Sequence, residues 1–334
     1  MRRLKILTWH VHGNYLWYLS RTGHDFYLPV KRDGEPGYGG RGDTFPFGDH
    51  VHDIPAEEVR GRRFDLILYQ HRDNYVVDRE MLLSAEQQRL PRIFVQHDPP
   101  LDHPTDQRHW FADPDGLLVH VTPFNALMWD SGRTPTRIID HGVPDRDGLR
   151  YTGELARGIV VINNLGTRGR RLGPDIFLEA RRHVPLDLVG MESESLGGLG
   201  EVKPPQLADF ERAYRFFFNP IRYTSLGLAV CEAMMLGMPV VGLATTEMAT
   251  AIQDGVTGFV DTSLERLIPR MQLLLHDPAE ARRLGDNARE YARDRFGWDR
   301  FVADWNDAFA SVTGTLVRPR TLERKCHVAA HSVD

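Results

Sequence analysis

Short apolar runs alternate with amphipathic segments through the first half of the chain. Apolar runs bounded by polar or turn residues are typical of buried strands, and they are LKILTWH, DFYLPV, RFDLILYQ, RIFVQH, GLLVHVT and TRIIDHGV. Between the first two, YLWYLSRTG predicts a helix that ends at Gly23. Strands that alternate with helical segments favour a parallel, doubly wound α/β sheet.

The pattern breaks into a polar linker at residues 144–157 and then restarts with GIVVINN, LDLVG, RFFFN and MPVVGLA as strands. We therefore predict two tandem Rossmann-like domains, 1–148 and 149–296, that face a cleft. An amphipathic helix at about 297–315 is expected to cross back to the first domain. Residues 316–334 lose periodicity and are expected to fray.

Length and composition agree with two ordinary globular domains. The 334 residues are 41% hydrophobic, and a net charge of −5 gives no electrostatic signal for nucleic acid. Two cysteines make no disulfide framework. No signal peptide or spanning segment is expected, so the predicted location is cytoplasmic. The N-terminal basic residues leave attachment to a membrane surface open, although scattered surface charge is the simpler account.

One carboxylate stands alone in YTSLGLAVCEAMMLGMPVV, residues 223–241. Glu232 is the only charge between Arg222 and Glu247, on a helix expected to run from Gly227 to Leu236 with Ser225 as its N-cap. The free amides at the start of such a helix suit a phosphate, and a carboxylate one turn further in suits the hydroxyls of a ribose or sugar. The residues alone leave an even alternative, in which Glu232 caps a loop or pairs with a buried arginine.

The same stretch resembles the family-4 retaining glycosyltransferases of GT-B fold. Their pattern is Gly-Leu-x-x-x-Glu-Ala-Met-x-x-Gly-x-Pro-Val-Val followed by Asp-Gly-x-Thr-Gly. It is matched in register from Gly227 through Glu232 to Val241, and again from Asp254 to Gly258. The resemblance implies a nucleotide-sugar donor, with Glu232 on the ribose and the amides of Ser225, Leu226, Gly227 and Leu228 on the phosphates and sugar.

Other segments carry the resemblance over most of the chain. VQHDPP is similar to the strand end that holds the family's histidine, which implies that His97 contacts the donor sugar or stabilises developing charge. HVHGN places Gly13 between a strand and a helix, where its amide approaches the phosphates or the acceptor. IIDHGVPD is similar to the hinge, and FGWDRFVADWNDAF to the closing helix.

The chain departs from the family pattern at two places. The first of the family's paired glutamates falls at position 224, which is Thr224 here, so the donor contact is rebuilt, the sugar differs, or activity is weak. The pair of cations expected on the diphosphate is replaced by Arg168 and Arg171 in NNLGTRGRRLGPD. Arg170 is an equal rival to Arg171 on sequence alone.

The sequence therefore predicts a retaining, metal-independent hexosyl- or glycosyltransferase. It would move a sugar from a nucleotide-diphosphate donor to a hydroxyl of a sugar, lipid-linked or small-molecule acceptor in glycan, glycolipid or polysaccharide synthesis. His97, Arg168 and Arg171 are the predicted catalytic residues, with no cofactor and no metal site. The alternatives are a non-catalytic sugar-nucleotide-binding protein, favoured by Thr224, and a GT-B sugar-nucleotide epimerase.

Overall fold

The computed structural model describes residues 2–32, 35–146 and 148–314. The N-terminal sheet has strands β1 to β7 in the spatial order β3-β2-β1-β4-β5-β6-β7, all parallel. In chain order the strands are Lys5–Thr8, Asp25–Val30, Val51–Pro55, Leu66–Tyr69, Arg92–Gln96, Leu117–His120 and Thr136–Ile138. The helices of this part are α1 Gly13–Ser20, α2 Arg79–Leu82 and α3 Pro123–Met128.

A second parallel sheet follows, with strands β8 to β12 in the order β12-β11-β10-β8-β9. These strands are Leu155–Val161, Leu186–Val189, Tyr214–Asn219, Val240–Leu243 and Gly258–Asp261. The accompanying helices α4 to α10 are Pro174–Arg181, Pro204–Glu211, Leu228–Leu236, Met248–Ala251, Leu264–His276, Pro278–Arg295 and Trp298–Thr313. Two Rossmann-like α/β units in tandem confirm the predicted GT-B fold class.

Helix α10 returns from the second sheet to pack on the first. Its buried face carries Phe301, Trp305 and Phe309. Trp305 Nε1 donates to the hydroxyl of Tyr15 at 3.1 Å, and the ring of Phe309 meets that of His24 at 5.4 Å. This is the crossing that its amphipathic pattern predicts. The predicted frayed tail, 316–334, lies outside the described residues.

Some elements lie outside the sequence predictions. Strand β3 is an edge strand, VHDIP, whose polar His52 and Asp53 hide its periodicity. The edge strand β12 and the helices α8 and α9 were also not predicted from the sequence. Helix α6 begins at Leu228 with Gly227 as its N-cap and no side-chain capping bond. The predicted N-cap at Ser225 is therefore wrong, because Ser225 lies two residues too early. The helix ends as predicted at Gly237, whose positive φ of 91° suits glycine.

Three buried histidines make the fold sensitive to acid. Burial lowers the pKa of His109 to about 3 and the pKa values of His120 and His141 to about 4. The unfolded chain takes up these protons near pH 6.5, so their stabilising effect is complete above that pH and is lost as the pH falls below it. We expect the free energy of unfolding to fall by about 1–2 kcal/mol per histidine between about pH 7 and pH 5, measured by urea titration.

His109→Gln provides the matched control for this prediction. It removes one of the three titrating groups, while the glutamine side chain keeps a donor near the Gln96 oxygen that His109 Nε2 contacts at 2.8 Å. The variant should therefore lose less stability than the parent chain over the same pH range. A free energy of unfolding that stays flat in the parent from about pH 7 to pH 5 would contradict the prediction.

Candidate functional site

The N-terminus of helix α6, with the residues 225–228 that lead into it, is open and positively polarised. We call this part of the second domain the anion corner. Its N-cap, Gly227, has extended backbone angles, φ −68° and ψ 137°, and no heavy atom lies within 4 Å of the position that a Cβ would take. Among the preceding residues Ser225 and Leu226 are buried and Thr224 is half-buried. The free amides at a helix start attract anions, and here open space lies beside them.

The basic loop between β8 and α4 lies against the chain that leads into this corner. The carbonyl oxygen of Arg171 accepts from the backbone N–H of Arg222 at 2.9 Å and of Tyr223 at 3.2 Å. Arg171 has a buried Nη1 with no hydrogen-bond partner among the described residues. The backbone of Arg171 is thus anchored to the chain a few residues before α6. Its guanidinium is a candidate phosphate contact, because arginine binds phosphate through strong, charge-assisted hydrogen bonds.

The two rivals of Arg171 differ from it in their surroundings. Arg170 is exposed and pairs with the carboxylate of Asp175 at 2.9 Å, and the same carboxylate also binds Arg222 at 2.6 Å. Arg168 is exposed and makes no ion pair within the described part of the chain. It lies near enough to His12 for its charge to lower the pKa of that imidazole. The structure thus separates Arg170 from Arg171, which the sequence alone does not.

His97 follows the end of β5 and faces two aromatic rings of the first domain. The ring centroids of His97 and His12 are 4.0 Å apart, and that of Tyr15 lies 4.6 Å from His97. Burial holds the pKa of His97 well below its usual value, and the nearby imidazoles of His12 and His141 lower it further. His97 is therefore neutral at physiological pH. Its Nε2 is buried and has no partner among the described residues.

Contacts between the domains bring these pieces together. His141 Nε2 lies 2.7 Å from the carbonyl oxygen of Leu226, and the hydroxyl of Tyr223 donates to the carbonyl oxygen of Pro100 at 3.0 Å. Since Pro100 is three residues after His97, the segment that leads into α6 lies beside the end of β5. Sequence reasoning singled out neither His141 nor Tyr223 as a site residue, because their roles depend on how the domains meet.

Glu232 lies one turn into α6 and finds a hydroxyl partner in the other domain. Its carboxylate accepts from the Tyr18 hydroxyl at 2.5 Å. Both residues line a small cavity together with Arg146 and Glu211. Burial raises the pKa of Glu232, while the Tyr18 hydrogen bond and the charge of Arg146 oppose the rise. Neither Tyr18 nor Glu211 was a sequence candidate, since nothing in the local pattern connects α1 with α6.

Glu211 makes this cavity strongly polar. The residue is 1% exposed, and neither carboxylate oxygen has a hydrogen-bond partner among the described residues. Burial and the neighbouring Glu232 raise the pKa of Glu211 well above its usual value. A protonated Glu211 beside Glu232 limits the repulsion between the two carboxyl groups.

Gly13 begins α1, but its surroundings differ from those of Gly227. A Cβ at Gly13 would overlap the ring of Phe45. Phe45 belongs to the segment 35–50, which is held to the first domain by the contact of His10 Nδ1 with the Gly40 oxygen at 2.5 Å and by the bond from Arg41 N–H to Asp53 at 2.7 Å. The position that a side chain would take at Gly13 is thus filled by Phe45, whereas that at Gly227 is open.

Across 2–32, 35–146 and 148–314, no three or more His, Cys, Asp or Glu side chains are grouped so that they could hold a metal ion. Within those ranges no helix is both long and apolar enough to cross a bilayer.

Several known proteins that resemble part of this chain are named as glycosyltransferases. Residues 193–291 match the family model described as Glycosyl transferases group 1. The chain is 31% identical over 207 residues to D-inositol 3-phosphate glycosyltransferase 1 of Catenulispora acidiphila. The aligned region covers 51% of this chain and 49% of that protein. It is 32% identical over 166 residues to D-inositol 3-phosphate glycosyltransferase of Xylanimonas cellulosilytica, covering 42% and 40%. The matches thus span about half the length of these curated relatives, or less.

Solved structures share the whole architecture. Sucrose-phosphate synthase from Thermosynechococcus elongatus superimposes with a TM-score of 0.71 at 18% identity, over 94% of this chain and 100% of that one. Anabaena HepE in complex with UDP-glucose superimposes with a TM-score of 0.64 at 15% identity, over 92% of this chain and 100% of that one. At these identities the likeness establishes the GT-B fold. The family-model match and the curated relatives together support the glycosyl transferases group 1 family.

Gly227 offers a substitution that tests the anion corner without strain. Gly227→Ala keeps allowed backbone angles and places its methyl group in open space, so we expect an unchanged melting temperature. The methyl group would occupy the space next to the helix amides, and we expect nucleotide-sugar affinity to fall by about tenfold, measured by titration calorimetry.

Gly237→Ala is the contrasting variant for this test. Gly237 has a φ of 91°, so an alanine there is strained and should lower stability by about 1 kcal/mol without touching the anion corner. Equal nucleotide affinity in the parent chain and Gly227→Ala would contradict a donor site at the start of α6.

Proposed function

We propose that this protein is a retaining glycosyltransferase of the family-4 type, which moves a sugar from a nucleotide-diphosphate sugar to an acceptor hydroxyl. The observation that carries the proposal is the position of the family motif. Its Gly227 is the N-cap of α6 and faces open space. A few residues earlier, the N–H groups of Arg222 and Tyr223 donate to the backbone oxygen of Arg171, whose buried Nη1 has no partner among the described residues.

In this proposal the protein acts chiefly through electrostatics. The bond from the sugar's anomeric carbon to the diphosphate oxygen breaks, and a bond to the acceptor oxygen forms on the same face, without an enzyme nucleophile. The proton of the acceptor hydroxyl passes to the departing diphosphate oxygen. The amides at Leu226, Gly227 and Leu228 and the cations of Arg168 and Arg171 stabilise the charge that develops on the diphosphate. No step requires a metal ion, because these donors supply the positive potential.

The remaining candidates orient the donor. His97 forms a hydrogen bond to the sugar through its Nε2, which has no partner among the described residues. Because the imidazole is neutral, it adds no positive charge that would repel an oxocarbenium-like centre. Thr224 takes the position of the family's first glutamate and offers a hydroxyl to the sugar. Glu232 orients the ribose. On donor binding, its carboxylate gives up the hydrogen bond from the Tyr18 hydroxyl and accepts hydrogen bonds from the ribose hydroxyls instead.

A thermal-shift screen against nucleoside diphosphates and nucleotide sugars tests the proposal, with and without EDTA. UDP-sugars come first, since HepE was solved with UDP-glucose. A ligand at about 100 times its dissociation constant adds about 2.7 kcal/mol of stability. We expect one nucleotide family to raise the melting temperature whether or not EDTA is present, and Glu232→Ala to lose that shift. The absence of a shift with every nucleotide would contradict the proposal.

The anomeric configuration of the product tests retention separately. Once a donor is known, NMR of the first product formed should show the same anomeric configuration as the donor sugar. An inverted product would contradict the family-4 mechanism while leaving sugar transfer intact.

Thr224 favours a second candidate function, a sugar-nucleotide-binding protein that no longer transfers sugar. The family's carboxylate at this position helps hold the donor sugar, and a hydroxyl carries no charge to replace it. This candidate predicts donor binding in the same screen with neither sugar transfer nor release of free nucleoside diphosphate. Turnover of the bound donor by the unmodified protein would exclude it.

A further inference from the structure

A cavity of about 370 Å³ opens at the carboxyl ends of strands β1, β4 and β5 in the N-terminal domain. Ligands of parallel α/β sheets bind at this edge. His97 forms part of its wall, whereas no residue of the α6 corner does. The cavity therefore shares His97 with the proposed donor site and includes no residue from the start of α6.

The cavity wall contains polar atoms that lack partners. Gln70 Oε1, His97 Nε2 and Trp110 Nε1 are all buried and have no hydrogen-bond partner among the described residues. Gln70 is 3% exposed, and its amide nitrogen is already fixed by donating to Thr8 Oγ1 and the Trp9 carbonyl oxygen, each at 3.1 Å. Buried unpaired donors and acceptors are costly, and a ligand with several hydroxyl groups satisfies both kinds.

An aromatic wall completes this polyhydroxyl site. The rings of Trp110 and Trp129 meet at nearly a right angle, with centroids 5.0 Å apart, and Phe94 and Leu101 lie beside them. The C–H face of a sugar ring is apolar and packs on the electron-rich face of an aromatic ring. Aromatic walls with a few placed polar groups are typical of small-molecule sites.

The charge of the wall selects among sugars. Asp73, Asp98 and Asp102 line the cavity against one cation, Arg72, whose guanidinium lies 5.9 Å from the Trp110 ring centre. The Asp98 carboxylate lies next to His97 in the chain and makes no hydrogen bond or ion pair in the described part of the chain. A phosphate placed here would meet like charge, whereas a neutral sugar would not and an ammonium group would be attracted.

We infer that this cavity binds the acceptor and that the acceptor is a neutral or amine-bearing sugar, not a phosphorylated one. The inference rests on the proposed function and narrows its acceptor. It separates this protein from the relatives named for D-inositol 3-phosphate, because three carboxylates and one guanidinium make a poor phosphate site. Gln70, Asp98 and Trp110 are then specificity-determining residues.

Matched acceptor probes test the inference on the full chain in the presence of the nucleotide found by the donor screen. One set is methyl α-glucoside, glucosamine and glucose 6-phosphate, and the other is myo-inositol and D-inositol 3-phosphate. Saturation-transfer NMR gives the affinity of each. In each set we expect the neutral or amine-bearing probes to bind about tenfold or more tightly than the phosphorylated one. Equal or tighter binding of a phosphorylated probe, or no binding of any probe at high millimolar concentration, overturns the inference.

Variants of the cavity wall localise the binding. Trp110→Ala should weaken the binding of the neutral probe by about tenfold, with the melting temperature and nucleotide affinity measured to verify folding. Trp110→Phe keeps a ring and should lose less. Asp102→Lys, at an exposed position, should improve the binding of the phosphorylated probe several-fold. Asp106→Lys makes the same charge change on the same segment outside the cavity lining and should leave both affinities unchanged.

Different results would overturn the transferase function and the assignment of this cavity to the acceptor. If no nucleotide binds, the proposed transferase function fails before any acceptor is added. If nucleotide binds and the wall variants do not change probe affinity, the donor site stands and the acceptor assignment of this cavity is overturned.

Discussion

Arg171→Ala is expected to lower the rate of sugar transfer by about 100- to 1,000-fold, the usual loss when one preorganised donor to a developing oxyanion is removed. The Arg171 guanidinium has a buried nitrogen without a partner and belongs to the loop whose backbone binds the chain before α6. Charge-assisted bonds from arginine to phosphate are strong and geometrically specific. The measurement is kcat and KM with saturating acceptor.

Arg170→Ala is the matched control. Arg170 is the adjacent arginine, is exposed, and already pairs with Asp175, so its loss should change kcat by less than about twofold. Both variants should melt near the parent temperature, because the loop contact to Arg222 and Tyr223 uses the Arg171 backbone oxygen. A large loss in Arg170→Ala with little in Arg171→Ala would reverse the assignment.

Arg295→Ala is expected to destabilise the protein by about 3–5 kcal/mol, the largest effect on stability that we predict for a single substitution. Arg295 binds the carboxylate of Glu247 at 2.5 Å and that of Asp140 at 3.2 Å. Glu247 is 2% exposed and also accepts from the N–H of Phe124 in the first domain at 2.9 Å. Removing the guanidinium leaves a buried carboxylate without its cation at the junction of the two domains.

Urea unfolding measures this effect as a shift in the midpoint. Arg293→Ala, in the same helix, removes an exposed arginine that reaches Asp145 only at 3.6 Å and should cost less than about 1 kcal/mol. Arg295→Met combined with Glu247→Gln should be less destabilising than Arg295→Met alone, since the double variant leaves only the partly exposed Asp140 carboxylate without its cation and no longer the buried Glu247 carboxylate. Equal midpoints for Arg295→Ala and Arg293→Ala would contradict the role of the interdomain pair.

The local pattern of hydrophobic residues predicts many of the strands and helices. It misses those in which the pattern is weak. Buried strands such as β4, LILY, and β5, RIFVQ, lie in apolar runs, so the hydrophobic pattern predicts them. Strand β3, VHDIP, lies at a sheet edge and carries two polar residues in its centre, so nothing local marks it. The predicted N-cap of α6 was Ser225, but the helix begins only at Leu228, so its N-cap is Gly227.

The candidate site divides in the same way. The motif in 223–241 predicts the helix start and places Glu232 one turn within it, since both depend on neighbours in the chain. The choice between Arg170 and Arg171 depends on Asp175, and the filling of the side-chain position at Gly13 depends on Phe45. Such choices are set by packing between segments, which the sequence around each residue does not record.

The sequence by itself determined the two α/β domains, the direction of their strands and the position of helix α6, because hydrophobic period, turn residues and a long motif act over short distances. Only the tertiary structure decided which groups lie across the domain junction. Tyr18 reaches Glu232 over a separation of 214 residues, and His141 meets the carbonyl oxygen of Leu226. Contacts between residues so far apart depend on how two folded units pack, and no local period encodes them.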